Sequence, residues 1–449
     1  MNGKEKILLL SACLLLLCPL MIYGQKDQTG SILLKGGHLL TITNGNLENT
    51  DLLIIDGIIT EIGKDLQAPD GVSVIDVSGK YVMPGIVDAH SHVGLDAVNE
   101  MTNPITSEVK IADVINPYDI ALYHALAGGV TVSHAMHGSA NVIGGQNQTI
   151  KHRYGTHDPY HLIMEGAART IKFALGENPI RVHGEGFSII PNTRMGVETV
   201  IRQGFDDALE YQRNWDGYRE KKSAGTIAKP PQYDPRLEAL LEVLNGDILI
   251  HCHSYRSDEI YMLINICRDY GIEDLIFQHV NEGFKVAPEL AEFGAMASVF
   301  SDWWAYKFEV YYSTAYNTTI LVKNNVITSV NSDSRELIRH LYLEAAKAQR
   351  YGQLSDNETL KLITMNPAIQ LGIDHRVGSL EVGKDGDVAV FSAHPLSIYT
   401  IPEYTFVDGI KYFDRSEDPD DMRVLTDIED DLNHFMELYS GRGDHDCLH

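Results

Sequence analysis

The stretch YVMPGIVDAHSHVGL, residues 81–95, decides the reading of the chain. It is an apolar run that ends in two histidines, His90 and His92, spaced two apart. Side chains two apart on a strand point to the same side, so both imidazoles can face one point. The same pattern returns further on. DILIHCHS (247–254) ends in His251 and His253, LIFQHVNEG (275–283) carries His279, and VITSVNSDS (326–334) runs into Asp333. Each of these residues stands at the C-terminal end of a predicted strand. A single histidine there reads as a hydrogen-bonded core residue. Several strands ending in His or Asp together predict a divalent-metal site suited to zinc and neighbouring first-row metals.

Outward from these strands, residues from Val87 to about Ile363 alternate short apolar runs with helical stretches. That alternation predicts parallel βα units, and apolar runs without polar alternation predict strands buried on both faces. SILLKGGHLLTI (31–42), DLLIIDGIITEIG (51–63) and VSVIDVSGKYVMPG (72–85) read as short strands with turns. Strand texture returns after NPAIQLGI (366–373). The expected plan is α/β: a barrel over 85–365, beside a small composite β-sandwich built from 25–84 and 366–449 with an acidic tail.

Residues 1–24 read as a secretory signal peptide. Lys4 and Lys6 precede the apolar run ILLLSACLLLLCPLMIY, and polar sequence resumes after Gly24. The expected location is therefore secreted or periplasmic, with membrane contact only through that segment and lipidation at Cys13 left open. Removing it leaves Cys252, Cys267 and Cys447, which is no disulfide framework. Of the 449 residues, 36 are Lys or Arg and 62 are Asp or Glu, giving a net charge of −26. Such a surface excludes nucleic acid as a partner, because phosphate binding needs clustered basic residues. Homo-oligomerisation stays open.

MPGIVDAHSH (83–92) and NPAIQLGIDHRVGSLEVGKDGDVAVF (366–391) together resemble the metal-dependent amidohydrolase superfamily, on its imidazolonepropionase-like and prolidase-like branch. The similarity runs over essentially the whole chain after the signal segment. It implies a (β/α)8 TIM barrel with metal ligands at strands 1, 4, 5, 6 and 8. Carried over by position, it makes His90 and His92 the strand 1 pair, His251 the strand 5 ligand, His279 the strand 6 ligand and Asp333 the strand 8 ligand. ARTIKFALGENP (168–179) offers Lys172 or Glu177 at strand 4. Lys172 is favoured because its IK context resembles the prolidase-like branch; it would be carboxylated and bridge two ions, since a bare ammonium beside two cations would be repelled.

The resemblance implies one or two divalent ions, zinc foremost, and a metal-activated hydroxide attacking an amide, peptide-like or cyclic amide carbonyl. Asp333 would move the proton, and His253 would polarise the substrate or sit behind the ligands. The substrate is expected to be a small molecule; the alternative is a barrel that binds metal or ligand without turnover. Tyr255, Arg256 and Arg153 could grip an anionic group, although an arginine paired with an acidic neighbour is the plainer reading. His134 and His137 read as pocket lining or satisfied core. The aromatic stretch SDWWAYKFEVYY (301–312) would cap the pocket or pack barrel against sandwich. Specificity is expected to reside in loops 94–120, 138–160 and 302–320.

Overall fold

The computed structural model describes residues 30–304 and 307–418. Residues 1–29, which include the expected signal segment, and the acidic stretch beyond residue 418 lie outside the described residues. Five strands open the chain: β1 (Ile32–Leu40), β2 (Asn46–Ile55), β3 (Ile58–Gly63), β4 (Ser73–Asp76) and β5 (Tyr81–Pro84). Three close it: β15 (Val388–Phe391), β16 (Pro402–Val407) and β17 (Ile410–Asp414). All eight belong to one mixed sheet, in the order β17-β16-β15-β5-β1-β2-β3 with β4 paired to β1. The join between the two chain ends is the antiparallel pairing of β15 with β5. Bulges break β1, so that its first half pairs with β4 and its second half with β5.

Between these ends lie β6 (Ile86–Ser91), β7 (Val130–Ala135), β8 (Ile143–Gln146), β9 (Gln148–Lys151), β10 (Thr170–Ala174), β11 (Leu249–Ser254), β12 (Leu275–His279), β13 (Met296–Val299) and β14 (Thr328–Val330). Strands β6, β7, β10 and β12 are buried at every position, with polar residues such as Asp88, Ser133, Lys172 and Gln278 inside beside the apolar ones. Strands β10 to β14 pair in parallel and in sequence order, as do β6 and β7. Helices fill the connections. Ser257–Tyr270 links β11 to β12 and stops at Gly271, whose φ of 72° is the left-handed cap that glycine adopts without strain. Asp234 caps Pro235–Leu244 by accepting from the Arg236 and Leu237 amides.

One segment departs from the expected plan. Residues 138–160 read as a loop, yet they contain β8 and β9, separated only by Asn147. β9 pairs antiparallel with β7, and β8 pairs antiparallel with β10. The physical reason lies in the glycine pair. A Cβ on Gly144 would stand 2.6 Å from His137 Nδ1, and one on Gly145 2.6 Å from Val109 Cγ2. Only glycine lets this strand lie so close to its neighbours. On the opposite side, the Asp333 amide donates to the His90 carbonyl at 3.1 Å. The Ser332 hydroxyl donates to Asp88 there, so the run after β14 is tied to β6.

The terminal sheet is fastened to this α/β body by a buried lysine. Lys151, at the end of β9 and fully buried, donates to Asp385 at 2.7 Å, Asp387 at 2.9 Å and Asp408 at 2.5 Å. Arg153 pairs with Asp408 at 2.7 Å and Arg376 with Asp385 at 2.6 Å. Burial pushes the Asp387 carboxyl up, and the Lys151 ammonium pulls against that shift. Removing the ammonium would leave the buried Asp387 carboxylate without its cation, beside Asp385 and Asp408, which keep Arg376 and Arg153. Lys151→Ala should therefore cost about 3–5 kcal/mol of unfolding free energy in urea denaturation. A cost under about 1 kcal/mol would show that the lysine is not the fastening.

Candidate metal centre

The strand ends place their polar side chains in one buried cluster. His92 Nε2 lies 3.1 Å from Asp333 Oδ1, His90 Nε2 lies 3.4 Å from the same oxygen, and His279 Nε2 lies 3.6 Å from Oδ2. His90, His279 and Asp333 each offer a donor atom within 4.8 Å of the others. The His253 and His279 ring centroids are 4.7 Å apart, as are those of His90 and His279. The Lys172 Nζ reaches to 3.1 Å from His90 Nε2.

Local backbone conformation brings two of these groups inward. His279 has φ 70°, Val280 φ 50° and Asp333 φ 43°. A β-branched valine in the left-handed region is a strained outlier, and such strain gathers at functional sites. The turn lets Gln278 and His279 both reach the interior, although neighbours on a regular strand face opposite ways. His279 is then held by stacking on Phe300 at 4.4 Å, and Phe300 stacks on Trp303 at 4.1 Å.

Hydrogen bonding shows what the cluster can hold. His92 Nδ1 meets the Met136 carbonyl at 2.9 Å. A carbonyl only accepts, so the proton sits on Nδ1 and the Nε2 lone pair points at Asp333. His92 Nε2, both ring nitrogens of His253 and His279, and Asp333 Oδ1 are buried without a hydrogen-bond partner. Lone pairs gathered around a buried carboxylate at these distances repel unless a cation stands among them. Burial pushes the pKa of His279 down to about 3 and those of His90 and His253 well below the ordinary imidazole range, and neighbouring cationic groups add to the effect. Burial pushes the Asp333 carboxyl up, but nearby positive charge, the Lys172 ammonium included, holds it below the usual carboxylate range. Neutral imidazoles with an ionised carboxylate form the donor set that a divalent cation takes.

Other expected residues stand elsewhere. His251, expected as the strand 5 ligand, lies beside His134, ring centroids 4.8 Å apart, with its Nδ1 3.0 Å from Gln278 Nε2. The backbone of Gln370 is the polar group next to its ring. It is His253, two residues further along β11, that meets His279. Glu177 is engaged by Lys307 at 3.3 Å and Arg181 at 3.4 Å, so Lys172 is the strand 4 candidate that reaches the cluster. Arg256 pairs with Asp258 and Arg153 with Asp408. His134 is satisfied by the Thr149 and Thr170 hydroxyls. His137 is satisfied by the Gly138 carbonyl and the Glu100 amide. The aromatic stretch divides: Trp303 packs with Tyr255, Phe300 and Val310, whereas Phe308, Tyr311 and Tyr312 are exposed. A second group with metal-like proximity, Asp385, Asp387 and Asp408, closes around the Lys151 ammonium instead. Sequence reasoning did not single out Gln278, whose amide touches both His90 and His251.

Strand-end imidazoles gathered around one carboxylate on an α/β body define a metal-dependent hydrolase architecture. The chain belongs to the metal-dependent amidohydrolase superfamily, whose members are hydrolases acting on carbon–nitrogen bonds. A sequence model of the amidohydrolase family matches residues 309–421. The chain is similar to a solved amidohydrolase from Thermotoga maritima MSB8: 34% identity, TM-score 0.79, 86% of this chain and 100% of that one. It is also 30% identical over 393 residues to the amidohydrolase tasK of Hapsidospora irregularis, covering 81% of this chain but only 40% of that protein's length. A shorter match, 51% identical over 65 residues and 14% of each chain, is to the dihydroorotase of Acetivibrio thermocellus.

The depressed histidines make the metal-free protein sensitive to acid. His251 and His279 have pKa values near 3 when folded, against about 6.5 when unfolded. Between those values the unfolded chain takes up protons that the folded chain refuses, so stability is full above about pH 6.5 and falls towards pH 3. Calorimetry of the metal-free protein should show its thermal midpoint several degrees or more lower at pH 4.5 than at pH 7.5. A flat profile would contradict this placement of neutral buried imidazoles.

Proposed function

We propose that this chain hydrolyses the C–N bond of a small amide, peptide-like or cyclic, at a divalent-metal centre held by His90, His92, His253, His279 and Asp333, with Lys172 between them. The observation that carries this reading is the pair of buried, partnerless Nε2 atoms of His92 and His279, 3.1 and 3.6 Å from the Asp333 carboxylate oxygens. The reading includes a closed (β/α)8-type barrel, in which β8 and β9 together fill the third position as an antiparallel strand. Support comes from the pairings on both sides of β8 and β9 and from the backbone bond between Asp333 and His90.

A divalent ion bound there would polarise the scissile carbonyl and lower the pKa of water towards neutrality. Everything else falls to the chain's own groups. Asp333, ionised and buried, accepts the proton of the attacking water and returns it to the departing nitrogen. The neutral histidines keep their lone pairs for binding. Tyr255 and the Phe300–Trp303 stack wall one side of the cluster and limit water there. Carboxylation of Lys172 would turn a repelled ammonium into an anion able to bridge two ions. Zinc is the ion we propose, and export through residues 1–24 is part of the same reading.

Purified protein loaded with zinc, assayed on a panel of dipeptides, N-acyl amino acids, lactams and cyclic imides, should hydrolyse at least one member. Asp333→Asn should lower that rate by about 10²–10⁴-fold while the fold is kept. Zinc retention with no hydrolysis across the panel would favour the non-catalytic alternative. Lys172→Ala should reduce metal content from about two equivalents to one or fewer, read by elemental analysis. Unchanged stoichiometry would remove the lysine from the bridge.

A further inference from the structure

We propose that Gln278 is a positioning residue that sets opposite tautomers on His90 and His251, freeing the His90 Nε2 lone pair for the metal and keeping His251 out of the donor set. This rests on the reading of the cluster as a metal centre.

Gln278 is fully buried on β12, level with His253 of β11. Its Oε1 lies 3.1 Å from His90 Nδ1 and its Nε2 lies 3.0 Å from His251 Nδ1. A carboxamide has one accepting end and one donating end. It therefore cannot satisfy the same tautomer on both imidazoles. The imidazole facing Oε1 must carry its proton on Nδ1, and the one facing the NH2 group must leave Nδ1 bare.

A neighbour fixes which is which. The Lys172 ammonium has only hydrogens to offer and stands 3.1 Å from His90 Nε2. His90 must therefore present a lone pair at Nε2 and hold its proton on Nδ1, facing Gln278 Oε1. His251 then takes the amide proton at Nδ1 and carries its own hydrogen on Nε2. A neutral imidazole protonated at Nε2 cannot bind a metal through that atom. His251, although it shares a strand face with His253, thus supports the centre through Gln278 instead of joining it. His92 is set the same way by the Met136 carbonyl, so both strand 1 histidines present Nε2.

The test begins with long-range ¹H–¹⁵N spectra of metal-free, histidine-labelled protein. His90 should show a protonated Nδ1 and bare Nε2, and His251 the reverse. Finding His251 protonated on Nδ1 would overturn the proposal whether or not the protein binds metal. Zinc affinity is then measured by chelator competition. Gln278→Leu should bind zinc about 10–100-fold more weakly. Gln278→Glu, which still accepts from His90, should stay within a few-fold of wild type. Its carboxylate cannot donate, so His251 should switch to the Nδ1-protonated signature. Unaltered zinc affinity in the leucine variant would overturn the positioning role. A wild-type protein with the expected tautomers that takes up no zinc would instead overturn the metal reading, leaving the tautomer assignment standing.

Discussion

A carboxylate and imidazole lone pairs meet at 3.1–3.4 Å in the interior, an arrangement that needs positive charge among them, of which the Lys172 ammonium, 3.1 Å from His90 Nε2, is the chain's own share. The surrounding structure is what keeps them from moving apart. His90 is tied through Gln278, His92 through the Met136 carbonyl, and His279 through its stack on Phe300. The Asp333 amide is bonded to the backbone of His90 itself. His90 and His92 each have Nδ1 fixed by a partner and Nε2 turned inward. Such preorganisation costs stability at the site, and the strained φ values at His279, Val280 and Asp333 are where that cost is visible.

The rest of the chain stiffens this interior. Parallel pairing through β10–β14 delivers side chains to one end of the strands in a repeating order. The antiparallel β8–β9 segment completes the pairing between β7 and β10 where glycine permits a close approach. Lys151, at the end of that segment, fastens the terminal sheet through three aspartates. The same lysine explains why a trio of carboxylates with metal-like spacing is a structural joint.

The sequence made part of this legible. The two-residue spacing of His90 and His92, and the placing of His279 and Asp333 after apolar runs, required only strand periodicity. Strand texture at both chain ends led to the expectation of a composite sandwich; the strands described there share one mixed sheet. The choice between His251 and His253 was not. Both share one face of β11, and their depth depends on how neighbouring strands are staggered, which no single strand encodes. Lys172 is level with His251 on the adjacent strand, but its long side chain climbs to His90, whereas the short imidazole of His251 stays beside His134. Gln278 escaped notice because a glutamine beside a strand-end histidine has no distinguishing pattern until its two partners are in view. Lys151 was passed over beside Arg153 for the same reason, since the aspartates it joins lie more than 230 residues away.

The most direct measurement is the position of metal by anomalous scattering at the zinc edge in crystals of the zinc-loaded protein. The account predicts density bounded by His90, His92, His253, His279 and Asp333, with the His251 ring turned away and bonded to Gln278. A peak coordinated by His251, or one among Asp385, Asp387 and Asp408, would contradict it.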